Sequence, residues 1–124
     1  MASELRVNTL KDAAGNNSIA TSFVAGGSAK GWIKYNGTGT IAISDSFNVA
    51  SIADEATGTT TITFTSAMGN TNYSIKGQNS DGALHIQVVD TNQTATAYRQ
   101  RTLDGSGNLV DDNAVYGDTH GDLA

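Results

Sequence analysis

The segment 29–43, which reads AKGWIKYNGTGTIAI, restricts the fold of this chain more than any other segment. Apolar and polar residues alternate on both sides of the dipeptide Asn36-Gly37, and the first run contains Trp32, the single tryptophan. Asn-Gly favours the positive φ angles of a two-residue type I′ turn, which joins antiparallel strands. The segment therefore predicts a β-hairpin that turns at Asn36-Gly37 and begins a globular β domain.

Further strand patterns follow this hairpin at regular spacing, separated by turns rich in Gly, Asn and Asp. Ile62 and Phe64 alternate with threonines, and Leu84, Ile86 and Val88 alternate with polar residues. Such alternation predicts strands with one buried face, whereas helical spacing is poor throughout the chain. The predicted strands span residues 31–35, 40–43, 47–53, 59–65, 72–78, 84–89 and 94–103. We therefore predict an all-β fold, an antiparallel and jelly-roll-like β-sandwich.

The beginning of the chain predicts an extended arm that precedes the sandwich. A short alternating strand pattern, a Gly/Asn-rich turn and a second apolar run lead into a flexible linker, AGGSAK, at 25–30. So short a segment cannot bury a core of its own. We assign residues 1–28 to an attachment and oligomerisation arm and residues 29–124 to a β-sandwich head. The candidate arm or oligomer contacts are Leu5, Val7, Leu10, Ile19 and Trp32.

Charge and composition argue against several classes of function. The net charge is −5 and the pI about 4.6, which disfavours binding to nucleic acids or to anionic membrane surfaces. No apolar run approaches the roughly 20 residues of a spanning helix, so we expect no membrane insertion. Hydrophobic residues make up 38% and aromatic residues 6% of the chain, which predicts a thin core that neighbouring subunits help to complete.

The run DGSGN places Asp104, Ser106 and Asn108 at alternating positions, as in the opening of a calcium-binding loop. The match ends there, because the sixth position of the loop is Leu109 instead of Gly and the twelfth is Val115 instead of Glu. We therefore interpret the run as a hairpin turn.

Asp118, His120 and Asp122 also alternate, close to the C-terminus. In a strand they would share one face, and three copies of the chain around an axis could supply enough ligands for a metal. Because small residues surround them near a chain end, we favour no metal site here. Upstream of them, Leu109-Val110 and Ala114-Val115-Tyr116 could add a final strand. The last few residues are then either loose or part of a subunit contact.

Aromatic and cationic residues are the remaining candidates for binding. Tyr98, Arg99 and Arg101 are candidate surface-binding residues, because alternating arginines could grip a sugar carboxylate or a neighbouring subunit. A solvated strand face is the alternative. The large aromatic residues that could stack on a sugar ring are Trp32, Tyr35, Tyr73 and Tyr98. For Trp32 and Tyr73 we favour packing in the core or at an interface.

The sequence predicts neither enzymatic activity nor a cofactor. It contains no cysteine, no nucleophile-elbow serine motif and no phosphate-binding glycine loop. His85 lacks the nucleophile or carboxylate partner that a catalytic base needs. The only glutamates, Glu4 and Glu55, lie in the leader and in a turn, which does not suit the carboxylate pair of a glycosidase.

The order and spacing of several short elements resemble a domain of tail-fibre and other virion proteins of marine phages, including cyanophages. The elements are Trp32, the turn 35–40, the strand 47–49, Gly58, the strand 62–64, Ala67-Met68 and Asn72-Tyr73. The leader SELRVNTLKDAAGNNSI is similar to the N-terminal leader of such fibre proteins, so the resemblance covers about residues 3–75. Gly69 departs from the pattern, which has Pro after the Ala-Met step.

The resemblance implies a virion structural protein that forms a homotrimer. Its arm would attach to other virion proteins of the tail or capsid, and its head loops would contact the host surface, including host glycans. We expect a short trimeric tail fibre or tail component in the virion. The alternatives are a capsid decoration protein or head fibre, and a carbohydrate-binding or carbohydrate-active β domain.

Overall fold

A computed structural model describes residues 3–82 and 85–124 of the chain. The arm contains the strands β1 (Thr9–Leu10) and β2 (Ile19–Ala20) and the helix α1 (Thr21–Gly27). The strands of the head are β3 (Gly31–Asn36), β4 (Ala42–Phe47), β5 (Val49–Ala56), β6 (Thr59–Phe64), β7 (Ser74–Asn79), β8 (His85–Val88), β9 (Ala97–Leu103) and β10 (Val115–His120). A short 3-10 helix, Asp90–Asn92, lies between β8 and β9.

The head is the antiparallel β-sandwich that the sequence predicts. Sheet 1 has the strand order β4-β3-β10-β7, and sheet 2 has the order β5-β6-β9-β8. In β3, β9 and β10, buried residues alternate with more exposed ones, because successive side chains of a strand point to opposite faces. The buried faces of both sheets meet in one core, so the all-β class and the sandwich architecture are confirmed.

The apolar core between the sheets is small. Its buried members are Ile33, Tyr35, Ile62, Phe64, Met68, Tyr73, Tyr98 and Val115. Polar groups share this interior, since Gln100 Nε2 donates a hydrogen bond to the Tyr35 hydroxyl oxygen at 3.0 Å. Gly77 and Gly117 lie opposite each other in sheet 1, and a Cβ at Gly117 would lie 2.7 Å from the Tyr98 hydroxyl oxygen. The missing Cβ therefore lets Tyr98 of sheet 2 reach the backbone of sheet 1.

The first predicted hairpin exists as the antiparallel pair β3–β4, but its turn differs from the prediction. Asn36 still belongs to β3, and its Oδ1 accepts hydrogen bonds from the backbone N–H and the hydroxyl of Thr38. Gly39 has a φ of 61°, whereas neither Asn36 nor Gly37 has a positive φ. Gly37 instead donates its N–H to the Asp112 carbonyl oxygen at 2.9 Å. The prediction of a type I′ turn at Asn36-Gly37 is therefore wrong. Gly37 pairs with a distant loop, and the chain turns later, at Gly39.

The strand predicted at 47–53 is divided in two. Asn48 has a φ of 57° and separates β4 of sheet 1 from β5 of sheet 2. Its side chain holds this corner, since Nδ2 donates to the carbonyl oxygens of Lys30 and Ser66, and Oδ1 accepts the Ser66 N–H. Alternation in the sequence cannot show these hydrogen bonds. The other predicted strands are present with shifted ends.

The alternation predicted for β8 is confirmed where the strand is described. Ile86 and Val88 are half-buried, and His85 between the apolar positions is exposed. Leu84, which the sequence assigns to the same buried face, lies outside the described residues.

The C-terminal segment is an integral part of the head. The strand β10 lies inside sheet 1, between β3 and β7. Beyond it, Leu123 forms a bridge with Met68, and Gly69 donates its N–H to the Asp122 carbonyl oxygen at 2.7 Å. The possible final strand at Ala114-Val115-Tyr116 is therefore present as β10, which begins at Val115, and the alternative of loose last residues is wrong. A subunit contact of these last residues stays a prediction.

The arm contains a short helix that the sequence does not predict. Helix α1 overlaps the segment that the sequence predicts to be a flexible linker. The sequence does not indicate this helix, because its seven residues include two glycines and show little helical periodicity. The Lys30 amino group donates to the carbonyl oxygens of Ala25 and Ser28, as expected for a cation at a helix C-terminus. None of residues 3–28 is buried. Within the described ranges, no helix is long and apolar enough to span a membrane.

Candidate functional site

The outer face of sheet 1 carries an aromatic and charged surface, which we call the tryptophan face. In β3 and β10 the residues between the buried ones point outward, because side chains alternate along a strand. Outward residues of β7 extend the same surface. The tryptophan face consists of Trp32, Lys34, Lys76, Gln78, Tyr116 and Asp118.

Cross-strand pairing arranges the tryptophan face in two rows. The first row is Trp32, Asp118 and Lys76, and the second row is Lys34, Tyr116 and Gln78. Directly opposite residues of antiparallel strands have Cβ atoms about 4.5–5.5 Å apart, so the side chains of a row can contact one another. Each row therefore combines one aromatic ring with polar groups that form hydrogen bonds.

Lys34, Tyr116 and Asp118 of this face each contact a neighbouring side chain. Lys34 Nζ lies 5.5 Å from the centroid of the Tyr116 ring, at a cation–π distance. His120 Nδ1 lies 3.3 Å from Asp118 Oδ2. Trp32 is 40% exposed, and the face borders an open cavity of about 520 Å³. An exposed indole beside ammonium, amide and carboxylate groups can stack on a sugar ring and hydrogen-bond to its hydroxyls.

The predicted arm and oligomer contacts all have exposed side chains. These residues are Leu5, Val7, Leu10, Ile19 and Trp32. The first four lie in the arm, whereas Trp32 lies in sheet 1 opposite Phe47 of β4. Their contacts with other subunits stay a prediction.

The expectation that Tyr98 lies on a binding surface is wrong. Its side chain is 1% exposed and packs against Phe64, with ring centroids 5.6 Å apart. Burial raises the pKa of Tyr98 above its ordinary value. Tyr35 and Tyr73 are buried as well, and burial raises the pKa of Tyr73 to about 12. None of these three rings can stack on a sugar, because all belong to the core.

Arg99 and Arg101 are half-buried on the outer side of sheet 2. Arg99 has partners within the chain, since Nη2 lies 3.3 Å from Glu55 Oε1 and Nε donates to the Thr61 hydroxyl oxygen at 3.2 Å. The Thr61 hydroxyl and the Arg99 charge lower the pKa of Glu55. Arg101 lies opposite Gln87 of β8, and its Nε is buried without a hydrogen-bond partner in the described part of the chain. Binding through Arg99 would first have to displace Glu55.

Asp104 forms the turn that the sequence favours. Its Oδ1 accepts hydrogen bonds from the backbone N–H groups of Ser106 and Asn108 at 2.8 and 2.9 Å. The Asn108 amide also donates to the carboxylate, and these hydrogen bonds lower the pKa of Asp104. Gly107 completes the turn with a φ of 83°. The carboxylate oxygens are therefore engaged within the turn.

The structure brings only two members of the C-terminal Asp-His-Asp pattern together. Asp118 and His120 share one face of β10, whereas Asp122 lies beyond the end of the strand. Among residues 3–82 and 85–124, no group of three or more His, Cys, Asp or Glu side chains is placed to hold a metal. A site shared between copies would need ligands from several chains.

Four members of the tryptophan face could not be singled out from the sequence. They are Lys34, Lys76, Gln78 and Tyr116. Alternation in GWIKYN and VYGDTH indicates which residues share a face, but strand order decides which of them become neighbours. No protein-family model, no curated protein and no solved structure matches the chain. The exposed surfaces of the arm and the head therefore carry the functional interpretation.

Proposed function

We propose that the chain is a phage virion structural protein, a short trimeric tail fibre or tail component. Its arm attaches to other subunits or virion proteins, and its head contacts the host surface. One observation carries this proposal: the arm presents exposed apolar side chains, with Phe23 73% exposed, and none of residues 3–28 is buried. The resemblance of residues 3–75 to virion proteins of marine phages supports this class of assembly.

The arm needs a partner for physical reasons. Its ladder pairs two residues of β1 with two of β2, and α1 has seven residues. A lone two-stranded hairpin and a helix shorter than about 12 residues are both marginal in water. Burial of one large apolar side chain contributes about 1.5–3 kcal/mol, so a surface that covers Leu5 and Phe23 would stabilise the arm.

The head suits repeated weak contacts. Three copies joined through their arms present three heads to the host surface, and linked sites raise avidity by about 10²–10⁴-fold when all can engage. No single contact then needs high affinity. A capsid decoration protein or head fibre would use the same arm at another place on the particle.

A carbohydrate-binding domain is the second candidate, favoured by the tryptophan face. The exposed indole of Trp32 lies in one row with the Asp118 carboxylate and the Lys76 ammonium group. A sugar ring has an apolar C–H face and hydroxyls that both donate and accept, so it matches this mixture of groups. Binding of the purified monomeric chain to a glycan array would favour this candidate.

Native mass spectrometry of the full chain and of a variant without residues 1–28 tests the first proposal. We expect a trimer for the full chain and a folded monomer for the truncated chain, because the buried apolar core lies entirely in the head. A full-length chain that is monomeric at micromolar concentration would contradict the proposal. Incorporation of the tagged full chain into phage tails or into capsids then decides between a tail component and a capsid decoration protein.

A further inference from the structure

An apolar groove lies where the arm joins the head. Phe47 and Leu123 are 55% and 47% exposed and border a cavity of about 300 Å³. The other residues that line this cavity, which we call the Phe47 groove, are Lys30, Asn48, Thr65 and Ser66. Lys30 is the one charged residue among them, and its amino group already caps α1. The groove therefore suits an apolar side chain better than a charged ligand.

The arm carries apolar side chains that such a groove can accept. Ile19, Phe23 and Val24 are all exposed on β2 and α1. Residues 13–29 contain no charged side chain, and the four charges of residues 1–12 cancel. The full net charge of −5 therefore belongs to the head.

The chain's own arm leaves the Phe47 groove open. Lys30 holds the end of α1 beside the groove, yet Phe23, Phe47 and Leu123 all remain exposed. We propose that α1 of one copy places Phe23 in the Phe47 groove of a second copy. This inference rests on the proposed function, because it names the contact that would hold the trimer together.

Among the surfaces of a second copy, charge favours the arm over the acidic head as the occupant. Acidic heads repel one another when they approach directly, whereas the uncharged segment 13–29 can reach a neighbouring head without that cost. Apolar surface on both sides, from Phe23 and Phe47, then leaves water together. Among the described residues that line the groove, Lys30 carries the one charge, and its amino group is already engaged with backbone oxygens.

The strand order supports the same occupant. β4, which ends with Phe47, is an edge strand of sheet 1 and pairs only with β3 within the described sheet. Exposed strand edges with apolar residues invite pairing with other chains unless something covers them. A neighbouring arm laid over Phe47 would cover the end of this edge.

The contact joins two different surfaces of the chain. Each copy gives an arm to one neighbour and receives an arm from another, which is a head-to-tail arrangement. Such contacts close into a ring when the rotation between copies fits, and three copies then satisfy three arms and three grooves.

Disulfide crosslinking tests the contact in the full-length chain. The natural sequence has no cysteine, so Phe23→Cys together with Phe47→Cys adds one designed pair. We expect mild oxidation to give covalent dimers and trimers, with the linked peptides identified by mass spectrometry. The matched control is Phe23→Cys with Leu109→Cys, since Leu109 is exposed near the opposite end of β9 from the groove. The control pair should stay uncrosslinked.

A second test uses single charges in the arm. Phe23→Asp should raise the dissociation constant of the trimer by about tenfold or more, because it puts a carboxylate into an apolar contact. Its control is Ser22→Asp, which adds the same charge to α1 on a different side and should leave assembly unchanged. Because no residue of 3–28 is buried, both variants should keep a folded head, as circular dichroism would show.

The outcomes separate this inference from the proposed function. Interchain crosslinks between positions 23 and 47, together with trimer loss in Phe23→Asp, would support it. A trimer that forms no such crosslink would overturn the arm contact and leave the proposed trimer standing. A crosslink within one chain would also overturn it. A monomeric full-length chain would contradict both.

Discussion

Replacement of Gly117 by alanine should destabilise the head, although alanine usually suits a strand better than glycine. Gly117 lies in β10, inside sheet 1. A Cβ at this position would lie 2.7 Å from the Tyr98 hydroxyl oxygen and 3.1 Å from Gln100 Oε1. Ordinary van der Waals contacts begin near 3.5 Å, so the Tyr98 hydroxyl would have to retreat by about 0.8 Å.

Tyr98 has little room for this movement. The residue is buried in the core and contacts the ring of Phe64. Overpacking of a core costs about 1–3 kcal/mol, and the lower flexibility of alanine recovers about 0.5–1 kcal/mol. We therefore expect a net loss of about 0.5–2 kcal/mol. For 124 residues, each with an unfolding entropy of about 2.1 cal/mol/K, this lowers Tm by about 2–8 °C.

Calorimetry and urea denaturation measure this effect at one fixed protein concentration, because the Tm of an oligomer depends on concentration. The matched control is Gly26→Ala in α1, where a Cβ meets no atom within 4 Å. It should leave the Tm of the head unchanged. The rescue variant is Tyr98→Phe, which removes the oxygen at 2.7 Å. In the presence of Tyr98→Phe, Gly117→Ala should cost less than about 0.5 kcal/mol.

Two results would contradict the predicted clash between a Cβ at Gly117 and the Tyr98 hydroxyl. If Gly117→Ala alone is neutral or stabilising, the close approach of Tyr98 to sheet 1 does not exist. If its cost is the same with and without Tyr98→Phe, within the 0.3–0.5 kcal/mol scatter typical of independent sites, the hydroxyl is not the cause.

Three further predictions concern pH, a corner of the sandwich and assembly. The stability of the head should fall between pH 10 and about 12, because burial raises the pKa of Tyr73 to about 12 while an unfolded tyrosine titrates near 10. Above pH 10 the unfolded state binds fewer protons than the folded state, so the free energy of unfolding declines as pH rises. The midpoints of urea denaturation should show this decline. Tyr73→Phe should make the decline with pH less steep. Asn48→Ala should cost about 2–4 kcal/mol in urea denaturation, since it loses hydrogen bonds to Lys30 and Ser66 and strains a φ of 57°. Asn48→Gly should cost less, and equal costs would show that backbone strain contributes nothing. Trp32→Ala should lower the trimer fraction in native mass spectrometry before it affects host binding, whereas a mutant that assembles but fails to bind cells would assign Trp32 to recognition.

Alternation was sufficient to predict the sandwich and part of its core. Ile62 and Phe64 lie two residues apart in a threonine-rich run, and both are buried in β6. The prediction for Tyr98 and Arg99 as one surface failed because adjacent residues of a strand point to opposite faces. The pairing of Arg99 with Glu55 joins two distant segments, so no local pattern could show it.

Hydrogen bonds between distant segments explain the other differences. The Asn-Gly dipeptide favours a tight turn locally, but the bond from Gly37 to the Asp112 carbonyl oxygen moves the turn to Gly39. The sequence of the Asp-rich tail allows a final strand at Ala114-Val115-Tyr116 but shows neither its length nor its partners. Val115 is buried between the sheets because β10 has strand partners on both sides.

Residue order alone was enough to predict the β class, the two-residue periodicity of the strands and an apolar arm without a core of its own. These properties depend on local residue order, which a strand or a short segment expresses without its neighbours. The three-dimensional fold was needed to show that β10 lies between β3 and β7 and that Gly117 makes room for Tyr98. It also brought Trp32 and Lys76 to the two sides of Asp118. Strand order and close packing arise from contacts between distant parts of the chain, and a linear pattern does not contain them.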